Sequence, residues 1–211
     1  MESIKKFVHV KEFVAEFIGE VFKSIKMKIL TNAIPGTFIL VVIAKSSALN
    51  LSALQSSGAN GAVSTLMGSL AGGLGVMTGI IVTGKASGGH INPAVSVAMA
   101  SCKKLPLTKL PAYLLGQYLG AGIGAALVLG IFSGQHAMAL ASYPGLSVNL
   151  MAQVVDQMTA TFLLVLGIAA VVDQDLNPGA LLVGLIVVGV SLALGPNAGA
   201  AMNPAVDFMP R

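Results

Sequence analysis

Tryptophan is absent from this 211-residue chain, aromatic residues make up 5% and charged residues only 9%. With 55% of residues hydrophobic, so little charge excludes a soluble domain and places the chain in a bilayer. Any aromatic belt must come from the few Phe and Tyr. Cys102 is the only cysteine, which excludes an intrachain disulfide, a redox pair and a cysteine metal site, and it reads as a small buried apolar residue. The first residues lack the charge, apolar run and small-residue cleavage pattern of a signal peptide. The net charge of +4 comes mostly from lysines beside apolar runs, so it speaks for orientation in a membrane and against nucleic-acid binding. What is abundant is glycine, 25 residues, as expected of helices that approach closely through small side chains.

Four apolar runs, 61–82, 110–132, 151–172 and 179–194, are long enough or nearly so to cross the hydrocarbon core. Asp156 lies near one end of its run, where charge is tolerated. Two shorter runs, 91–100 and 203–211, follow the helix-breaking stretches 84–89 and 195–199 and read as re-entrant half-helices. Two interrupted segments at corresponding places indicate an inverted repeat with its site at mid-membrane. The first span is the irregular one: residues 36–49 make roughly 20 Å of helix and carry Lys45, which falls short of the core. Glu16-Phe17-Ile18-Gly19 and, later, Thr37-Phe38-Ile39-Leu40-Val41 together match Gln157 through Val165 in the second half, so residues 20–36 read as an insertion that interrupts the span. Their apolar and lysine residues separate onto two faces, as in a helix lying on a membrane surface, and they are not expected to lengthen the span. Lys5, Lys6, Lys11, Lys85, Lys103, Lys104 and Lys109, against none in 132–149, place the amino terminus in the cytoplasm.

The triplet Asn-Pro-Ala occurs twice, as Asn92-Pro93-Ala94 and Asn203-Pro204-Ala205, each opening an apolar half-helix. Proline suits a first helical turn, where its missing N–H would be unpaired anyway, and the preceding asparagine caps the turn through its side-chain oxygen. That leaves each amide NH2 to face a lumen as a donor. Two such helices meeting end to end direct two positive dipole ends at one point, a place a neutral hydroxylated molecule can pass and a cation cannot.

Ser87-Gly88-Gly89-His90-Ile91-Asn92-Pro93-Ala94-Val95 and Gly199-Ala200-Ala201-Met202-Asn203-Pro204-Ala205 resemble the two signature loops of the major intrinsic protein family, and Gln117-Tyr118-Leu119-Gly120-Ala121 resembles its third span. The resemblance implies an all-α membrane protein, an aquaporin-like inverted repeat in which two half-helices meet inside six tilted helices, usually assembled as a homotetramer. It makes residues 1–211 one channel domain whose sixth transmembrane helix is expected to be missing after Arg211. By spacing to the motifs, the constriction positions of the family are similar to Gly72, Ser191, Ala200 and Val206, and their small uncharged side chains imply an opening wider than in water-selective members. Asp207 and Arg211 match the glycerol-channel pattern. Val206 departs from it, standing where family members carry an arginine, so weaker discrimination against ions or large polar solutes is expected. His90 resembles a pore-lining position and reads chiefly as a loop residue; Glu16 and Gln157 resemble the buried groups that hold the two loops through backbone N–H groups; His9 and His136 read as surface residues.

The expected function is a passive channel for small neutral solutes, glycerol-like polyols first and water second, needing no cofactor. The other reading is a non-conducting truncated isoform that joins full-length relatives. Membrane lipid is the surrounding partner, and the plasma membrane is the default location. No buried nucleophile with a base, no metal-ligand cluster and no glycine-rich loop after a strand supports an enzyme, and the family resemblance argues against a secondary transporter, which normally needs a coupling-ion site with intramembrane carboxylates.

Overall fold

A computed structural model describes residues 29–56, 58, 60–132, 140 and 148–210. They form seven α-helices: α1 (Ile29–Ser56), α2 (Gly61–Ser87), α3 (Pro93–Ser101), α4 (Leu110–Ile131), α5 (Leu150–Asp173), α6 (Gly179–Ala198) and α7 (Pro204–Phe208). Five of them contain stretches long and apolar enough to cross a membrane, and α3 and α7 are the short ones. Lipid offers no hydrogen bonds, so backbone polar groups must be satisfied inside the segment. Hydroxyls follow the same rule: Thr65, Thr78, Thr83 and Ser87 each donate to the carbonyl four residues earlier in α2. Helix starts are set by Asn60, Asn92, Asn149 and Asn203, whose side chains accept from backbone N–H groups of the first turn. Two ends are set by Gly88 and Gly199 at φ 73° and 85°, left-handed conformations that cost glycine least.

The repeat is visible as α1-α2-α3 and α5-α6-α7. α1 packs against α2 and α4, α2 crosses to α6, α6 returns to α5, and α3 touches α7. The α2–α6 crossing joins the two repeats at one glycine from each. A Cβ at Gly73 would sit 2.5 Å from the Gly184 carbonyl oxygen, and one at Gly184 2.8 Å from the Gly73 oxygen. Large apolar side chains such as Ile81, Met158, Phe162 and Leu185 point outward, where a lipid-facing surface needs them.

Three expectations are corrected. The first span is not confined to residues 36–49: α1 begins at Ile29 and its apolar stretch runs Ala33–Ala53, so residues 29–36, assigned to a surface insertion, supply turns of the span. Small residues permit this. Ala33 packs against Gly116, and the Ile34 carbonyl lies where a Cβ on Gly120 would be. Pro35 is carried inside the helix. Cys102 is exposed, because it caps the carboxyl end of α3. Asp156, in the second turn of α5 and so near one end of its run, is in addition buried by protein: it is 6% exposed and its Oδ2 accepts from Asn197 Nδ2 at 2.7 Å. The second half-helix, expected over 203–211, is the single five-residue turn Pro204–Phe208. Residues 20–28, Lys5, Lys6, His9, Lys11, Glu16, His136 and Arg211 lie outside the described residues. Lys104 and Asp173 form an ion pair that puts the connections after α3 and after α5 on one face.

The crossing makes a testable contrast between neighbours. Gly73→Ala is expected to destabilise the protein in detergent by about 1–3 kcal/mol through overpacking against the α6 backbone. Gly72→Ala, whose Cβ meets nothing within 4 Å, is expected to leave unfolding unchanged or slightly raise its midpoint. Thermal unfolding of the two variants beside the parent checks it.

Candidate functional site

The two Asn-Pro-Ala triplets face each other. Asn92 Oδ1 accepts from Ala94 N–H at 2.9 Å, and Asn203 Oδ1 accepts from Ala205 N–H at 3.2 Å, so each side-chain oxygen caps its own half-helix. The NH2 groups do more than face a lumen. Asn92 Nδ2 donates to the Met202 carbonyl and Asn203 Nδ2 to the Ile91 carbonyl, both at 2.9 Å, a reciprocal pair of bonds between the repeats. An amide nitrogen carries two hydrogens, so each asparagine keeps one for another acceptor. Both asparagines line a cavity of about 690 Å³.

Gly72, Ser191, Ala200 and Val206 line that same cavity, as do His90 and Asp207, so the structure brings together the residues singled out by motif spacing. Gly72 faces open space. Pro93, Ala94 and Pro204 instead border a shallower apolar groove of about 700 Å³ beside Tyr118, Met158 and Phe162. The cavity also includes Lys45, which sequence reasoning treated only as a defect of the span.

The two loops are held by different chemistry. In the second repeat Gln157 serves both ways: its Nε2 donates to the Ala198 carbonyl at 2.7 Å, and its Oε1 accepts from Ala201 N–H at 3.1 Å and from Met202 N–H at 3.5 Å. Gln157 stands four residues before Thr161; the residue four before Thr37 in α1 is Ala33, which has no side-chain acceptor. The first loop is held from α4 instead. Tyr113 Oη donates to the Ser87 carbonyl at 2.7 Å, and Gln117 Nε2 lies 2.9 Å from the His90 carbonyl and 2.8 Å from Ser96 Oγ. Tyr113 also packs its ring on that of His90, with centroids 5.1 Å apart. Buried polar atoms without a partner among the described residues are Thr37 Oγ1, His90 Nδ1 and Gln117 Oε1, with Asp156 Oδ1 on α5. Tyr113 carried no signal in the sequence, and Gln117 was visible only as part of a run resembling the family, not as a loop anchor.

Removing Gln157 should therefore loosen one loop selectively. Gln157→Leu is expected to cost on the order of 2 kcal/mol of stability, since it strips partners from backbone groups at 198, 201 and 202. Amide hydrogen exchange is expected to speed up at 201 and 202 and not at 90 or 91; equal acceleration in both loops would contradict the assignment.

The geometry has counterparts among known proteins. The sequence matches the Major intrinsic protein family over residues 3–211. Human aquaporin-9 is 36% identical over 213 residues, covering 90% of this chain, and the aquaglycerol porin AQY3 of Saccharomyces cerevisiae is 34% identical over 195 residues, covering 83% of it. The chain spans 70% of the human protein, 65% of rat aquaporin-9 and 30% of the yeast protein. The X-ray structure of the aquaglyceroporin from Plasmodium falciparum superposes with a TM-score of 0.80 at 30% identity, covering 87% of this chain and 79% of that one. A matched family over nearly the whole chain, a shared fold and paired half-helices agree: this is a multi-pass membrane protein of a family of channels, not of enzymes, and the chain belongs to the major intrinsic protein family.

Proposed function

We propose that the chain forms a passive pore for small neutral hydroxylated solutes, glycerol-like polyols first and water second. The observation that carries this is the tip-to-tip meeting of α3 and α7 at the cavity, where each asparagine retains one N–H beyond the bond to the opposite loop. A solute hydroxyl can accept these hydrogen bonds in passing, whereas a cation meets two positive helix ends. The glycerol preference rests on the small side chains of Gly72, Ser191, Ala200 and Val206 along the lumen, together with the named aquaglyceroporin relatives. Glycerol and water as solutes, a homotetramer as the assembly, and the plasma membrane as location all belong to this reading.

A second reading draws on the apolar groove between Ala94, Val97, Phe162 and Pro204, which a helix of another subunit would cover. A non-conducting isoform that joins full-length relatives would use that groove, and it predicts co-purification with such a relative and no flux alone. Stopped-flow re-swelling of proteoliposomes in glycerol separates the readings. Glycerol entry several-fold faster than in empty liposomes is expected, and Val206→Arg is expected to slow it by narrowing the lumen. Rates equal to those of empty liposomes for both proteins, with insertion verified, would sink the channel reading.

The same reading keeps residues 20–36 as an inserted segment, for a reason visible in register. Deleting them joins Gly19 to Thr37 and moves Glu16 to the position, four residues before Thr37, now held by Ala33. The carboxylate would then meet the first loop as Gln157 meets the second. The deletion variant is expected to unfold at a higher temperature in detergent than the parent, and a lower midpoint would count against the insertion.

A further inference from the structure

The hydroxyls of α2 are not all used alike. Ser64, Thr65, Thr78, Thr83 and Ser87 each donate to the carbonyl four residues earlier, which spends the one hydrogen a hydroxyl has. Ser69 could donate to the Thr65 carbonyl in the same way and does not. Its hydroxyl has no hydrogen bond among the described residues, although the residue is only 6% exposed and borders the central cavity. A buried hydroxyl is costly to leave unbonded unless water or a ligand reaches it, so Ser69 is the point on α2 that calls for a polar partner from the lumen. Ser191 on α6 repeats the pattern: it lines the same cavity, and its hydroxyl is likewise unbonded among the described residues. Thr65, Lys45 and Asp207 line this cavity too, but each has an interaction of its own in the structure.

The helix crossing brings the two serines to one level. A Cβ on Gly73 would meet Val188, and one on Gly184 would meet Met77, so numbers rise along α2 as they fall along α6. One turn from the 73–188 contact toward the start of α2, Ser69 stands level with Ser191 and Leu192. Between the serines and the Asn-Pro-Ala tips lies Gly72, whose Cβ would meet nothing within 4 Å. The neighbouring wall is apolar. Leu40 packs against Gly75 and Leu51 against Gly68, which sets Ala44 and Ala48 of α1, both on the cavity, at the intervening levels.

We infer that Ser69 and Ser191 form a polyol subsite in the lumen: a pair of hydroxyls from α2 and α6 that takes two hydroxyls of one solute molecule, with Ala44 and Ala48 along its carbon chain. Ser69 is thereby a specificity-determining residue. The inference deepens the channel reading above and rests on it. A serine hydroxyl offers one donor and two acceptor sites, as does each hydroxyl of a polyol, so the pair and the solute match group for group. A polyol sheds several waters on entering a narrow lumen and depends on replacements for them. A water molecule has fewer bonds to replace and loses less when one wall hydroxyl is removed.

The test compares glycerol re-swelling with osmotic water flux in the same proteoliposomes. Ser69→Ala, which removes one oxygen and widens the lumen, is expected to slow protein-dependent glycerol entry by about threefold or more while water flux stays within about twofold of the parent. Glycerol entry that is unchanged or faster overturns the inference, and so does an equal fall in glycerol and water. Ser191→Ala is expected to act alike, and the double variant to lose less than the product of the two single losses, because a solute held at one end has already lost the paired arrangement. A parent that passes no glycerol overturns the channel reading instead, and a binding measurement tells the two failures apart. In a Cys102→Ser background, which removes the exposed thiol, Gly72→Cys places a thiol beside the pair. Glycerol at molar concentration is expected to slow its reaction with methyl methanethiosulfonate, and adding Ser69→Ala to abolish that protection. Protection that is absent, or that survives Ser69→Ala, overturns the subsite whether or not the chain conducts.

Discussion

Everything in this fold depends on two amide–carbonyl bonds at its centre, from Asn92 to the Met202 carbonyl and from Asn203 to the Ile91 carbonyl. Loop backbone at membrane depth is tolerated only where its polar groups are satisfied by protein or face a lumen. Each loop here is satisfied in part by the cap residue of the other, so neither repeat completes its own site. The long helices bring the two tips into register: α2 and α6 cross at Gly73 and Gly184, where the absence of side chains lets the backbones touch. A close helix crossing is thereby converted into a meeting of two helix ends, and the cavity runs past that meeting point.

Much of this was legible in the sequence, because the features that place the half-helices are local. Asparagine before proline caps a helix wherever it occurs, glycine marks the left-handed ends at 88 and 199, and a half-length apolar run cannot cross the core. Gly72, Ser191, Ala200 and Val206, singled out by their spacing from the motifs, share one cavity. What was not legible depends on partners distant in sequence. Nothing local reveals that the spare N–H of Asn92 is used 110 residues away, or that Gln117 and Tyr113 reach back to the first loop. The extent of the first span was misjudged because Lys45 counts against a span by composition and because residues 20–36 break the match between the repeats. Glycines 116 and 120 on α4 accept residues 29–36 as helix all the same.

The two repeats are alike in backbone and unlike in how their loops are held, which exposes a physical asymmetry. A glutamine at 157 is donor and acceptor together, and it ties the second loop to its own repeat. Ala33 offers only a methyl group at the matching register, and close packing on Gly116 is what it gains there. The first loop consequently leans on α4, a helix outside the three-helix unit, through one phenol and one amide. Tyr113 is a donor only in this arrangement, and Gln117 spends its NH2 on two acceptors while its own oxygen has none. Loop carbonyls are thus well served on this side, but among the described residues the acceptor that Gln157 presents to N–H groups in the second loop has no equivalent.

That asymmetry bears on where charge can sit. Buried ions are costly unless paired, hydrogen-bonded or in contact with water, and the described core holds one of each sign. Asp156 Oδ2 accepts from Asn197, close to the loop that Gln157 anchors, while its Oδ1 has no partner. Lys45 lies on a helix face that borders the cavity. A composition-based reading counts Lys45 as a liability because it assigns every residue of a span to lipid or to packed core. Once the span is the wall of a cavity, a third environment exists, and Lys45 on α1 stands in it.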